Sequence, residues 1–245
     1  MEKFSKNQVF DIFKKKKPFI VSCQALEHEY LYGEHIMLKM AEAAIDNGAD
    51  MIRTSQLHNI NDMVANLNVP LIAIIKKVYQ NNDVFITPTI KEVEELINTN
   101  AHIIATDATL RKRPKESLEQ IVAYFQANKK DHQLLMADCS TLDDIKNAIK
   151  LGFDFIGTTL RGYTYETLGI SNTEHNYEFL KEAKKLCASS QKCLLIAEGG
   201  FNTPLDAQQA YLHGADALVV GSAITRPDFI TKQFYNAIKD VVKKE

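Results

Sequence analysis

Short apolar runs rich in β-branched residues recur along this chain, separated by longer stretches in which apolar residues fall at helical spacing. The runs are FIVSC (Phe19 to Cys23), MIRTS from Met51, PLIAIIKK (Pro70 to Lys77), HIIATD (His102 to Asp107), QLLMAD (Gln133 to Asp138), DFIGTT (Asp154 to Thr159), CLLIAEG (Cys193 to Gly199) and ALVVGS (Ala217 to Ser222). Runs so short and so continuously apolar suit strands covered on both faces. Between them lie HIMLKMAEAAIDNG, VEELINTN, SLEQIVAYFQANKK, LDDIKNAIKLG and NYEFLKEAKKL, all of helical period, with Gly48, Gly152 and Gly214 placed where a left-handed cap ends a helix.

Strands joined by helices return to the same end and must run parallel. A longer period overlies this alternation. NGADMIRT from Asn47, TNAHIIATD from Thr99, LGFDFIGTT from Leu151 and HGADALVVGS from His213 share one signature, and Asp50, His102, Asp154 and Asp216 stand 52, 52 and 62 residues apart. Each interval holds two strand-plus-helix modules, so four units make eight strands. The pattern predicts a single (β/α)8 TIM barrel over residues 1–245, with residues 1–18 as an N-terminal helical extension. Within that extension the stretch from Phe4 to Phe13 is expected to cross the barrel floor. A length of 245 residues suits one such barrel.

Composition narrows the function. A net charge of -2 leaves the basic run Lys14 to Lys17 as a solvated face, so no nucleic-acid partner is expected. Charges scattered through MEKFSKNQVFDIFKKKK interrupt any signal-type apolar core, and no run approaches the ~18 apolar residues of a membrane span. The expectation is a cytoplasmic protein without membrane association. Cys23, Cys139, Cys187 and Cys193 lack metal-site or disulfide-framework spacing and read as reduced thiols. The seven histidines fall in loops, helices or strand beginnings, so no metal is expected.

Chemistry in a parallel barrel sits where the strands end. Polar residues at those ends are Gln24, Arg53, Lys76 or Lys77, Asp107, Asp138, Thr158, Thr159, Glu198 and Ser222. The turns AEGGFNTP (Ala197 to Pro204) and VGSAITRP (Val220 to Pro227) follow the last two strands, where glycines admit an anion to backbone N–H groups and a short helix begins. That is the fold's usual phosphate position, with Arg226 in reach of the same anion. Alternation lets only one of Lys76 and Lys77 face the axis, and parity alone does not choose between them.

The blocks IVSCQ (Ile20 to Gln24), IR (Ile52, Arg53), IIK (Ile74 to Lys76), ATDAT with RKRP (Ala105 to Pro114), ADCS (Ala137 to Ser140), IGTTLRGYT (Ile156 to Thr164), IAEGGFNTP (Ile196 to Pro204) and VGSAITRP (Val220 to Pro227) occur in an order that resembles the N-acetylmannosamine-6-phosphate 2-epimerase family. The resemblance implies a barrel of the ribulose-phosphate-binding type and interconversion of that sugar phosphate with N-acetylglucosamine 6-phosphate, in amino-sugar and sialic acid breakdown, with no cofactor. It implies Lys76 as the acid/base at C2 and Glu198 as the second catalytic residue. Gln24, Arg53, Asp138 and Tyr163 would hold the sugar, and Gly199, Gly200, Gly221, Ser222 and Arg226 its phosphate. The chain departs from the family pattern in KKVYQNNDV after the third strand and in Arg161.

Epimerisation next to an aldehyde carbon requires a base poised near neutrality, whereas a solvated lysine, with a reference pKa near ~10.4, is almost wholly protonated there. Partial burial and the guanidinium of Arg53 would both lower the Lys76 value. Glu198, if it touched the amine, would oppose them, so it belongs nearer the substrate's C1 oxygen or a hydroxyl. One shared base and two opposed bases both remain open. A Schiff-base aldolase or lyase through Lys76 is a further enzyme class, and a noncatalytic phosphosugar-binding barrel a third reading. A homodimer is compatible with the pattern, since barrel helices commonly pack in symmetric pairs.

Overall fold

The computed structural model describes residues 3–241, which form the closed, all-parallel, eight-stranded barrel that the alternation predicts. Its strands are β1 (Phe19–Cys23), β2 (Met51–Ser55), β3 (Leu71–Ile74), β4 (Ile103–Asp107), β5 (Leu134–Asp138), β6 (Phe155–Gly157), β7 (Leu194–Glu198) and β8 (Ala217–Val220). Each pairs with its neighbour in sequence, and β8 closes on β1 through Phe19 to Leu218 and Val21 to Val220. Around them run α2 (Ile36–Asp46), α3 (Leu57–Asn66), α4 (Ile90–Asn98), α5 (Leu118–Asn128), α6 (Leu142–Leu151), α7 (Glu174–Ser190) and α8 (Pro204–Leu212). A preceding α1 (Lys6–Lys15) and a terminal pair, α9 (Ser222–Thr225) and α10 (Pro227–Ile238), complete the order.

The fourfold signature has a physical meaning. Asp50, His102, Asp154 and Asp216 each stand just before an even-numbered strand and accept an N–H from the first or second residue of the odd-numbered strand beside it, from Phe19 (3.0 Å), Leu71 (3.2 Å), Leu135 (2.9 Å) and Leu195 (2.8 Å). The same four residues return their own N–H to the carbonyls of those partners. Strand pairs are thus clasped at the foot, where an unpaired amide would otherwise be buried. His102 does this as a neutral imidazole, because burial and then the neighbouring His132 and Lys3 push its pKa down to about 4.

Inside the barrel, alternate residues face the axis. Ile20, Met51, Ile72, Ile103, Leu134 and Phe155 form part of a buried apolar plug, and α1 seals it from below. Ser5 caps α1 with a reciprocal Gln8 box. From that helix Phe10 and Phe13 lie against the Phe155 ring at centroid distances of 5.6 and 4.9 Å. The outward faces of the strands pack on the helices in two further apolar clusters.

Two strands fall furthest short of their apolar runs. The third run, read as Pro70 to Lys77, is regular only to Ile74, because the chain turns into a hairpin in which Lys76 bridges Ile86 and Lys77 donates to the Phe85 carbonyl. The sixth, read as Asp154 to Thr159, ends at Gly157, where the chain enters a turn. No described helix is long and apolar enough to cross a membrane.

Candidate active site

A cavity of about 300 Å³ opens at the C-terminal ends of the strands. Its lining includes every residue that the sequence singled out for catalysis or for binding except Asp138, which lies directly beneath, fully buried.

Arg53 anchors the site. Strand parity turns it to the axis above the apolar plug, where its side chain is 1% exposed. Its Nη1 and Nη2 donate to Asp138 Oδ1 (3.1 Å) and Oδ2 (2.7 Å), a bidentate fork, and Nη1 also lies 3.0 Å from Glu198 Oε2. Burial opposes the guanidinium's charge, yet Asp138 and Glu198 outweigh it and hold the group protonated. One cation serving two carboxylates leaves the cluster one negative charge in excess when both are ionised. Glu198 carries the consequence. Its pKa is raised, first by burial and further by Asp138, against the opposing pull of Arg53, Thr159 and Lys76.

Lys76 reaches the same cavity from beyond β3, in step with the inward-facing Ile72 and Ile74. The alternation therefore continues through Ile75 and selects Lys76 over Lys77. No strand flanks Lys76 on the β2 side, because the chain there has already turned into α3. Gln56 substitutes for it, accepting the Lys76 N–H (3.1 Å) and donating to the Lys76 carbonyl (3.3 Å). The ammonium form is disfavoured by burial, then by Arg226 and Arg53, and only partly restored by Glu29 and Glu198, so the pKa falls from 10.5 to about 8. Burial and Arg53 act in the direction that the sequence implied, and Arg226 adds to them. No Lys76–Glu198 ion pair forms among the described residues, which agrees with a carboxylate set apart from the amine.

On the opposite side of the mouth, Gly199 (φ 96°) and Gly200 (φ 80°) hold the turn after β7 in the left-handed region, and a Cβ on Gly199 would stand 3.1 Å from the Thr159 carbonyl. Gly221 leads into α9, which begins at Ser222. Arg226 closes this side with its Nη2 2.5 Å from Glu29 Oε1. Gln24 donates to Ser22 Oγ (2.8 Å) and keeps its buried Oε1 without a protein partner. Tyr163, 65% exposed, flanks the opening.

Asp107 is held apart from the cavity. Thr109 and Arg111 bind its carboxylate and Arg113 its carbonyl, which makes it a buried post for the following loop. Four residues join the site that no periodicity marked as site residues: Gln56 behind Lys76, Glu29 on Arg226, Thr159 between Asp138 and Glu198, and Asn172, whose Nδ2 donates to the Glu198 and Gly199 carbonyls. Only Thr159 had carried a signal, as part of a polar doublet at a strand end. No three His, Cys, Asp or Glu side chains among the described residues converge as metal ligands do.

An amine and a carboxyl tuned toward neutrality, facing a glycine-lined turn and an arginine in the mouth of a parallel barrel, define a barrel with the parts for acid/base chemistry on a small anionic substrate. The comparisons with known proteins make this specific. A family model described as "Putative N-acetylmannosamine-6-phosphate epimerase" matches residues 37–240. A Mycoplasmopsis pulmonis protein named "Putative N-acetylmannosamine-6-phosphate 2-epimerase" is 61% identical over 224 residues, which cover 91% of this chain and 98% of that protein. A Borreliella burgdorferi protein of the same name is 49% identical over 95% of this chain and 99% of its own length. Among solved structures, the N-acetylmannosamine-6-phosphate 2-epimerase from Clostridium perfringens is similar at a TM-score of 0.84 and 42% identity, covering 94% of this chain and 96% of that one. The chain belongs to the N-acetylmannosamine-6-phosphate epimerase family.

Proposed function

We propose that this chain interconverts N-acetylmannosamine 6-phosphate and N-acetylglucosamine 6-phosphate, with Lys76 and Glu198 as the proton-handling pair at the open-chain sugar. What carries this reading is that Lys76 and Glu198 line one cavity while their surroundings draw one pKa down and the other up. Deprotonation at C2 places charge on the C1 oxygen, and return of a proton to the opposite face completes the inversion. Such a cycle needs one proton on the pair: a loaded group and an empty one. Lys76 takes the C2 proton and, once the intermediate has turned its other face to the amine, returns one there, while Glu198, set apart from the amine, serves the C1 oxygen or a neighbouring hydroxyl.

Arg53 and Asp138 hold the sugar end with Gln24 and Tyr163, and the fixed Arg53 charge supports the enolate without reorganising. Gly199, Gly200, Gly221, Ser222 and Arg226 take the phosphate, for which Arg226 exchanges its Glu29 partner. The substrate's phosphate keeps it inside a membrane-bounded compartment, so the reaction is placed in the cytoplasm, in amino-sugar and sialic acid breakdown.

A homodimer fits the surface. The helix α10 buries none of its side chains and exposes Phe234, Tyr235 and Ile238, while Phe19, Val21 and Met40 line an open groove between β1 and α2. Proton NMR of N-acetylmannosamine 6-phosphate in deuterium oxide tests the reading. The gluco isomer should form with deuterium at C2, and a Lys76→Ala variant should lose it; absence of the gluco isomer, or undiminished turnover in the variant, would refute the assignment.

A further inference from the structure

Two consecutive threonines follow β6, and both end on Glu198. Thr158 Oγ1 donates to the Glu198 carbonyl (2.9 Å) and accepts the Glu198 N–H (3.0 Å), pinning its main chain. Thr159 Oγ1 lies 2.6 Å from Asp138 Oδ1 and 3.2 Å from Glu198 Oε2, on the side chain of the same residue. Room for that hydroxyl comes from Gly157, where a Cβ would stand 2.5 Å from Met136 Cε and 2.9 Å from Thr159 Oγ1. The main chain of the doublet is held between its neighbours, as Thr158 donates to the Ile196 carbonyl and Leu160 to that of Cys139.

With Arg53 Nη1 at 3.0 Å and Thr159 Oγ1 at 3.2 Å, Glu198 Oε2 is fully engaged. Oε1 accepts no hydrogen bond from the described residues and is not sealed from solvent, although Glu198 lines the cavity. The two oxygens of one carboxyl therefore have different employments. We propose that Thr159 is a positioning residue of the reaction: together with Arg53 it fixes Oε2 and turns Oε1 to the substrate as the oxygen that gives and takes the proton. The neighbouring Thr158 has the separate task of holding the strand.

The one hydrogen of this hydroxyl is shared between Asp138 Oδ1 at 2.6 Å and Glu198 Oε2 at 3.2 Å. Donation toward Glu198 favours its carboxylate form and holds Oε2 between Thr159 and Arg53. The charged groups around Glu198 are Arg53 from β2, Lys76 beyond β3 and Asp138 from β5, and Lys76 in turn feels Arg226 and Glu29. Thr159 is the uncharged member among them. Its removal therefore changes orientation while leaving the count of charges intact.

This inference rests on Glu198 being one of the proton-handling pair, and the experiment separates the two ideas. Thr159→Val, which keeps the shape and deletes the hydroxyl, is expected to lower kcat about tenfold or more, the scale of a hydrogen bond to a charged group, with KM within about twofold of wild type. Thr159→Ser should return kcat to within about threefold, and Thr159→Ala replaces the valine variant if that one does not fold. Melting temperature should fall further in Thr158→Val than in Thr159→Val, because only the former removes two hydrogen bonds from the Glu198 backbone.

A folded hydroxyl-free variant with kcat within about twofold of wild type overturns the inference, as does a serine variant no better than the valine one. Lys76→Ala and Glu198→Gln are assayed alongside. Wild-type turnover in either would defeat the functional reading itself, whereas their inactivation beside an active Thr159→Val would defeat only the role given to Thr159.

Discussion

The floor and the mouth of this barrel are built from the same strands and the same alternation, and they treat ionisable groups in opposite ways. At the floor, axis-facing residues such as Met51, Ile72, Leu134 and Phe155 pack under α1, and the one histidine clasp, His102, is driven down to about 4 and silenced. At the mouth, the same strand ends carry Arg53, Asp138 and Glu198, with Lys76 just beyond, and burial brings Lys76 only to about 8. The difference lies in partners. His102 meets burial and further positive groups, whereas Lys76 has Glu29 and Glu198 to offset part of the cost. Burial alone switches a base off, and burial balanced by carboxylates sets it near its working pH.

Breaking the mouth should have the largest effect on turnover. Lys76→Ala is expected to lower kcat by roughly 10² to 10⁴, the range for loss of a positioned acid or base, while leaving the protein folded by circular dichroism. Breaking the floor should do the reverse. Phe155→Ala opens the space against which Phe10 and Phe13 stack, and urea denaturation should show a loss of about 3–5 kcal/mol with kcat nearly unchanged. If the floor variant lost turnover as the lysine variant does, the division of labour would be wrong.

A third test sharpens the contrast through pH. A cycle needing one proton on the Lys76 and Glu198 pair gives a bell-shaped kcat/KM profile. Its alkaline limb should fall near the Lys76 value of about 8, where the pair loses its last proton. Its acid limb should lie above the ordinary carboxylate range, because burial and Asp138 raise Glu198. Below that limb both groups are protonated and no base remains.

The smallest expected effect is on stability. The folded pKa of Lys76 is below its unfolded value, so its charge costs stability at neutral pH, and the cost is relieved as pH rises from about 8 to 10.5. Lys76→Met should therefore raise the melting temperature at pH 7, an inactive protein slightly more stable than the active one. A lowered melting temperature would place the amine in a supporting role.

Much of this was legible in the residues. The apolar runs located all eight strands because strands covered on both faces leave a continuous hydrophobic trace, and the fourfold signature marked residues that clasp strand feet. The family motifs located Lys76, Glu198, Arg53 and the glycine turns, all of which the fold brings to one cavity. Parity placed Lys76 only once Gln56 and the 75–87 hairpin were seen to prolong β3 in extended form. Gln56, Glu29 and Asn172 were not legible, since each acts through the main chain or charge of a residue distant in sequence. Asp107 shows the converse: a strand-end carboxylate like Asp138 in pattern, it is claimed by Arg111 and Arg113 from its own loop.

Everything turns on the amine at the mouth being a base near neutrality, and that can be measured without turnover. NMR titration of protein labelled with ¹³C at the lysine side chains, with Lys76→Met to assign the missing resonance, gives the value directly. A midpoint near 8 is the result expected from burial beside Arg226 and Arg53, and a midpoint at the ordinary 10.5 would contradict it.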